Sequence, residues 1–264
     1  ETETAHQAHS AYYADFLHKQ WDQMRTARQV AALDRIEAEF ENVHVAWQTM
    51  VEQRHAARLS LSVYPLWYYC DLRGRYHNAL LLFKRATDAL RPAAGDDVVD
   101  RAIGQMLTRR AFFHGATRQL QEGRALAEEG LAILRRAGTV EDLALGLESL
   151  CLLGAKLDDH PLMERYAEQM EMIARRSEDR WLLARALIWY HPPDADPHDS
   201  ERARQLAYEA IDLAEACGDL WVRGSTCKAQ CYGAMLSEDY THAFHWAERA
   251  LKLCEELGQV VTIA

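Results

Sequence analysis

The sequence predicts an all-α chain built as a right-handed α-solenoid of antiparallel helix hairpins, and three observations carry that prediction. Of 264 residues only 13 are Gly and 6 are Pro, while the good helix formers Ala, Leu, Glu, Arg and Gln are abundant. No alternating apolar-polar stretch of strand length appears. The chain also matches itself at an offset of about 40 residues, the period of a helical-repeat array. At that offset Ala127, Ala167, Ala207 and Ala247 fall in one column, and Ile133, Ile173, Leu213 and Leu253 in another. Gly138, Glu178 with Asp179, Gly218 and Gly258 close the amphipathic runs, and Trp181 and Trp221 each open the helix that follows. A single hairpin cannot bury its own apolar face, so neighbouring hairpins must stack.

Turn signals give the elements in order. Residues 1–56 are a leading segment with two helices, about 5–24 and 30–53. The array occupies 57–264. Its first hairpin, 57–92, turns at Arg73-Gly74-Arg75, and the second, 99–138, turns near Gly115. The third, 140–178, turns at Asp158-Asp159-His160-Pro161. The fourth covers 180–218, and the fifth, 220–258, turns at Ser237-Glu238-Asp239. Residues 258–264 align with 218–224, so a truncated sixth hairpin is expected from 259, in a stretch of a longer array. Hairpin four carries the one break in pattern, 191–200. There Pro192 and Pro193 should end its first helix about two turns early, and Asp199 or Ser200 should cap the next helix. This segment is either a binding loop at the rim or a tolerated insertion.

The 40 acidic and 30 basic residues leave a net charge of −10. Phosphate binding relies on clustered Lys and Arg, so nucleic-acid contact by this chain is disfavoured. No apolar run reaches the roughly 18 residues of a membrane span, and no basic-then-apolar leader opens the chain. Six widely spaced cysteines lie among Ala and Leu in helical patterns, where free thiols behave as small hydrophobes. A reducing, cytoplasmic setting is expected.

Within the fifth hairpin, Cys231, Tyr240, Ala243, Ala247 and Ala250 fall where tetratricopeptide repeats place small and aromatic residues. The first hairpin is similar, with Gly74 at the turn, then Tyr76, Ala79, Phe83, Ala86 and Pro92. The array over 57–257 therefore resembles the tetratricopeptide family. It departs from the pattern at Trp67, in a usually small position, and at Met163 and Met170, which replace alanines. Residues 33–47, with Glu39, Asn42, Ala46 and Trp47, look like a segment of bacterial multidomain regulators in which a STAND-type NTPase with a winged helix precedes the repeats. Residues 66–76 resemble the first repeat of those proteins, and His9-Ser10-Ala11-Tyr12-Tyr13 the helix that leaves the winged-helix module. The resemblance implies the sensor or scaffold arm of an ATP-dependent transcriptional or signalling regulator.

Catalytic signatures are missing from the sequence: no Gly-rich phosphate loop, no Gly-x-Ser-x-Gly turn and no His-Glu-x-x-His. The expectation is a non-enzyme with no cofactor. Cys227, Cys231, His242 and His245 could in principle meet as a soft metal site. Against that, Cys227 and Cys231 share columns with Leu147 and Cys151, which are core positions, so no metal is expected. By the geometry of the resembled repeat, Tyr64, Tyr68, Asp71, Gln105, Thr108, Phe112, Glu148, Arg185, Lys228 and Tyr232 face the concave surface. That inner wall suits a peptide or an extended helix, from another protein or from other domains of the same parent chain. The alternatives are a pocket for a small-molecule effector and an ordinary solvated face. Arg109-Arg110 would contact an acidic partner or simply be solvated.

Overall fold

The computed structural model describes residues 2–189 and 197–259, and among these there are thirteen α-helices and no strand. The leading segment is α1 (Thr2–Met24), α2 (Gln29–Ala38) and α3 (Phe40–Glu52). Five pairs follow. They are α4 (Ala56–Leu72) with α5 (Tyr76–Leu90), α6 (Asp97–Ala116) with α7 (Leu120–Ala137), α8 (Val140–Leu157) with α9 (His160–Ser177), α10 (Arg180–Leu187) with α11 (Pro197–Cys217), and α12 (Leu220–Leu236) with α13 (Tyr240–Leu257). In each step the second helix of one pair packs on the first helix of the next, as α5 does on α6, α7 on α8, α9 on α10 and α11 on α12. The result is an all-α, solenoid-like stack.

The helix starts are set by side-chain caps, which satisfy backbone donors that an α-helix leaves open. Asp96, Asp159, Asp179, Asp219 and Asp239 each accept from backbone N–H groups of the first turn, and Thr139 with Asp142 closes a reciprocal capping box. Thr139, Asp179 and Asp219 are forty residues apart in sequence, so the period is written into the caps as well as the core. Several stops use the left-handed conformation: Glu178 has φ 58°, Gly218 φ 76° and Gly258 φ 69°. At Gly218 a Cβ would also lie 2.8 Å from the Ala27 backbone nitrogen, so this turn is fitted to the leading segment.

The structure corrects four details. The second leading helix is not continuous over 30–53 but divides at Glu39 into α2 and α3. The division lets the buried faces Ala32, Leu33, Ile36 and Val43, Ala46, Trp47, Met50 both reach the core, and Glu39 is held by Tyr13 Oη (2.6 Å) and the Asn42 amide (2.8 Å). The second hairpin turns after Ala116, at Thr117-Arg118-Gln119, with Arg118 at φ 61°. Gly115 is instead helical and buried, facing Leu152 and Leu153 of α8, so it serves close packing between hairpins. Arg109 and Arg110 are buried rather than solvated. Finally, α11 begins at Pro197, so Asp199 and Ser200 lie within its first turn rather than before it; proline suits a first helical position, where no backbone N–H is needed. As expected, α10 is short, ending at Leu187. The prolines at 192 and 193, the loop residues 191–196 and the start of the sixth hairpin beyond 259 lie outside the described residues.

The ends of the stack come together. Tyr68 of α4 donates to Asp219 before α12 (2.7 Å), and Arg73 donates to the Leu257 carbonyl at the end of α13 (2.8 Å). First and last hairpins thus touch across more than 150 residues of sequence, and the first helices α4, α6 and α8 are buried nearly all round.

Candidate functional site

The residues expected on the concave wall do gather in space, but as a packed interior. Tyr64, Tyr68, Asp71, Gln105, Thr108, Phe112, Glu148 and Arg185 are all buried, Lys228 is half-buried, and only Tyr232 is exposed, at 44 %. Three acidic side chains organise them. Glu148 on α8 accepts from Arg185 on α10 through Nε (2.8 Å) and Nη2 (2.5 Å), and from Arg109 Nη1 on α6 (3.4 Å). Arg109 also donates to the Leu145 carbonyl and to Ser149 Oγ (2.9 Å), whose hydroxyl donates to the Thr108 carbonyl (2.7 Å). Asp142 accepts from Tyr64, Gln105 and Arg101, each at 2.7 Å. Asp219 accepts from Tyr68 (2.7 Å), Trp181 Nε1 (2.8 Å) and Gln29 Nε2 (3.0 Å).

Aromatic rings complete the desolvated shell. The Arg185 guanidinium lies 4.1 Å from the Trp221 ring centroid, 4.8 Å from Trp181 and 5.3 Å from both Trp67 and Tyr68, while Arg109 lies 4.3 Å from Trp67. Ring faces attract a cation that has lost its water, which offsets part of the cost of burying two guanidiniums beside one carboxylate. Burial works against the Arg185 charge, but Glu148 and neighbouring acceptors outweigh it and its pKa is raised; at Arg109 burial wins and the pKa is lowered. Burial beside Asp142 and Asp219 raises Tyr64 and Tyr68 well above the ordinary tyrosine value, so both remain neutral donors. Asp71, buried and near Glu148, is raised to about 7 despite Arg185, Lys228 and Arg109.

What fills the wall is the chain's own leading segment. Trp21 on α1 lies 5.4–6.4 Å, centroid to centroid, from Trp181, Tyr64, Tyr68 and Trp67. Its indole N–H donates to Glu141 (3.0 Å). Arg25 bonds both Glu141 and Asp179 (2.8 Å each), and Gln29 bonds Asp219 and accepts from the Leu220 backbone N–H (2.9 Å). Residues 21, 25 and 29, four apart, therefore meet the starts of α8, α10 and α12 one after another. Sequence reasoning does not find Trp21, Arg25 or Gln29 as site residues. Trp67 carried a signal: a Trp in a column usually held by a small residue implies that the groove is filled there.

The thiol and imidazole candidates do not converge. His242 Nδ1 donates to the Asp239 carboxylate (2.7 Å) at the start of α13, Cys227 is buried, and all six cysteines are free. Among the described residues no set of three His, Cys, Asp or Glu side chains comes together as a metal site, and no helix is long and apolar enough to cross a membrane.

A different surface stands out at the end of the stack. On α13, Tyr240 (68 % exposed), Phe244 (66 %), Ala247 and Leu251 (39 %) form an outward stripe at positions i, i+4, i+7 and i+11. These spacings lie on one helix face. Two and three periods earlier part of this face is covered: Ala127 and Ala167 match Ala247 and are fully buried, and Leu131 matches Leu251 and is 3 % exposed, whereas the columns of Tyr240 and Phe244 hold half-buried Leu120, His160, Arg124 and Glu164. In those hairpins the covering element is the next hairpin's first helix, α8 on α7 and α10 on α9.

No protein-family model matches the chain, and no curated protein does. Among solved structures the chain is similar to BtubC (BKLC) from P. vanneervenii, with a TM-score of 0.53 and 15 % identity over 90 % of this chain and 94 % of that one. At that identity the likeness is one of fold: the chain is an all-α stack of helix pairs with the overall arrangement of BtubC.

Proposed function

We propose that this chain is a non-catalytic protein-interaction module of tetratricopeptide-like construction, the sensor or scaffold arm of a larger bacterial signalling or transcriptional regulator. The observation that carries the reading is the exposed apolar stripe Tyr240, Phe244, Ala247 and Leu251 on α13. Contiguous exposed apolar surface of this kind marks protein contacts in soluble proteins. The regulator assignment is supported by the likeness of residues 33–47 and 66–76 to the junction segment and first repeat of STAND-type regulators. The inner wall is occupied by α1 and its own ion pairs, so the partner meets the module on its outer and end surfaces.

The test is affinity capture from bacterial lysate with the wild-type chain and with Phe244→Glu as paired baits. The reading expects at least one protein, identified by mass spectrometry, that the wild type retains and the variant loses while both baits keep the same circular dichroism spectrum. Identical retained sets on the two baits would overturn it.

A further inference from the structure

We infer that the groove between α3 and α5 binds a free apolar α-amino acid, its carboxylate on Arg85 and its ammonium on Glu52. The site goes beyond the interaction reading above and does not depend on the α13 stripe. α3 lines the groove with positions 44, 47, 48, 51 and 52, which share one helix face, and α5 lines it with Leu82 and Arg85. Both walls therefore belong to this chain, and the space between them is about 260 Å³. Pockets for drug-sized ligands start at about 300 Å³, so this one suits a molecule of amino-acid size.

The lining has three parts. Trp47, packed against Phe83 with ring centroids 5.7 Å apart, is buried, and Val51 and Leu82 are half-buried. The Gln48 amide donates to His44 Nε2 (3.3 Å), so these two polar groups spend a bond on each other. Glu52 and Arg85 are different. Both are exposed, they stand too far apart to pair, and neither side chain has an ion-pair or hydrogen-bond partner among the described residues. The Trp47 indole N–H is also without a partner, so the lining holds two unused charges and an unused donor. At later junctions between successive second helices, opposite charges close the gap directly. Arg91, just after α5, pairs with Glu129 of α7 (2.9 Å), Arg175 of α9 with Glu209 of α11 (2.7 Å), and Glu215 of α11 with Arg249 of α13. Between α3 and α5 the same two signs face a cavity instead. A simple anion entering it meets Glu52, and a simple cation meets Arg85; a molecule that carries both charges satisfies both. The Trp47, Val51 and Leu82 surfaces then favour an apolar body over a polar one. An α-amino acid with an apolar side chain joins these three features.

The test is isothermal titration of the full chain with L-leucine and L-phenylalanine at about pH 7, where α-amino groups are mostly charged. The controls are two blocked forms of whichever amino acid binds: the N-acetyl derivative, which lacks the ammonium, and the amide, which lacks the carboxylate. The expected result is saturable one-to-one binding, weakened by either block about threefold to fivefold, the upper range for an exposed ion pair. Arg85→Gln should weaken the free amino acid and the N-acetyl derivative by that factor and leave the amide unchanged. Glu52→Gln should weaken the free amino acid and the amide and leave the N-acetyl derivative unchanged. This crossed pattern identifies which charge meets which. Both side chains are exposed and unpaired, so both variants should keep the wild-type circular dichroism spectrum and thermal midpoint. Absence of saturable binding by either amino acid, equal affinity for the free and blocked forms, or affinities indifferent to both variants overturns the inference. So does an N-acetyl derivative that binds more tightly than the free amino acid, since the groove is then a site for anions alone.

Discussion

Replacing Glu148 by glutamine should be among the most damaging isosteric changes this chain can receive. Glu148, Arg109 and Arg185 have no exposed side-chain surface, so solvent cannot take over the role of the lost charge. The carboxylate accepts two bonds from Arg185 and one from Arg109, and Arg185 Nη1 and Arg109 Nε already have no hydrogen-bond partner. The amide keeps one acceptor oxygen but leaves two buried guanidiniums uncompensated. Breaking a buried pair from one side costs about 3–5 kcal/mol, and the retained acceptor places this change near the lower figure. For a chain of this length that corresponds to a fall in Tm of roughly 6–12 °C, read by circular dichroism at 222 nm. The triple replacement Arg109→Met, Glu148→Leu, Arg185→Met removes all three charges together and should melt above Glu148→Gln. Apolar replacement of a buried ion network is often neutral or better, although here the lost ring–cation contacts offset part of the gain. A Glu148→Gln midpoint within about 2 °C of wild type, or a triple variant that melts below it, would refute the account of the interior as a mutually dependent charge cluster.

Asp71 gives a pH dependence with a definite sign. Its native pKa of about 7 lies above the unfolded value, because burial, with Glu148 adding to it, disfavours the carboxylate, so its contribution is complete below about pH 4 and is lost as pH rises through 7. Asp71→Asn should therefore match wild type near pH 4 and exceed it at pH 8, checked by urea unfolding at both values; a difference independent of pH would contradict this. Gly218→Ala places a methyl against Ala27 at a positive φ and should cost about 2 kcal/mol, seen as a lower urea midpoint. Arg25→Ala removes both the Glu141 and the Asp179 pair, which are partly buried. It should cost about 1–2 kcal/mol and speed amide exchange in α1 more than in α6, whereas a uniform change along the chain would argue against a local tether.

How far the sequence reveals this molecule depends on the range of the interaction in question. Hairpin boundaries were readable to within a residue or two at 140–177, 180–217 and 220–257 because they are written locally, in Asp caps and in Gly218 and Gly258 at the stops. Local signals mislead where they serve another purpose: glycine breaks helices, which points to a turn at Gly115, yet this glycine lets α6 approach α8. The division at Glu39 has no glycine or proline to announce it and follows from where α2 and α3 must place their buried faces. The filled interior was the least readable feature. Periodicity assigned Tyr64, Tyr68, Glu148 and Arg185 to the inner side, but it carries no information on what lies opposite. Trp21 bonds Glu141 across 120 residues and Gln29 bonds Asp219 across 190, and no local pattern encodes such pairings.

A stack whose inner wall is open can use that wall for ligands and remain pliable, because each hairpin touches only its neighbours. This chain has given up that freedom. The leading segment ties the starts of α8, α10 and α12 together through Trp21 of α1, Arg25 in the turn after it and Gln29 of α2, and Tyr68 and Arg73 join the first hairpin to the last. Contacts between distant hairpins make the array behave less like a chain of springs and more like a single body, so that displacing α13 must disturb Asp219, Tyr68 and, through Trp67, the Glu148 cluster. A partner seated on Phe244 and Leu251 would therefore couple to Gln29 and α1 by way of packed side chains rather than a flexible linker. The coupling is measurable as a change in α1 exchange when the α13 face is occupied, and linkage sets its reciprocal: Arg25→Ala, by opening α1, should weaken affinity at the α13 face by at most the factor by which occupancy tightens the closure of α1.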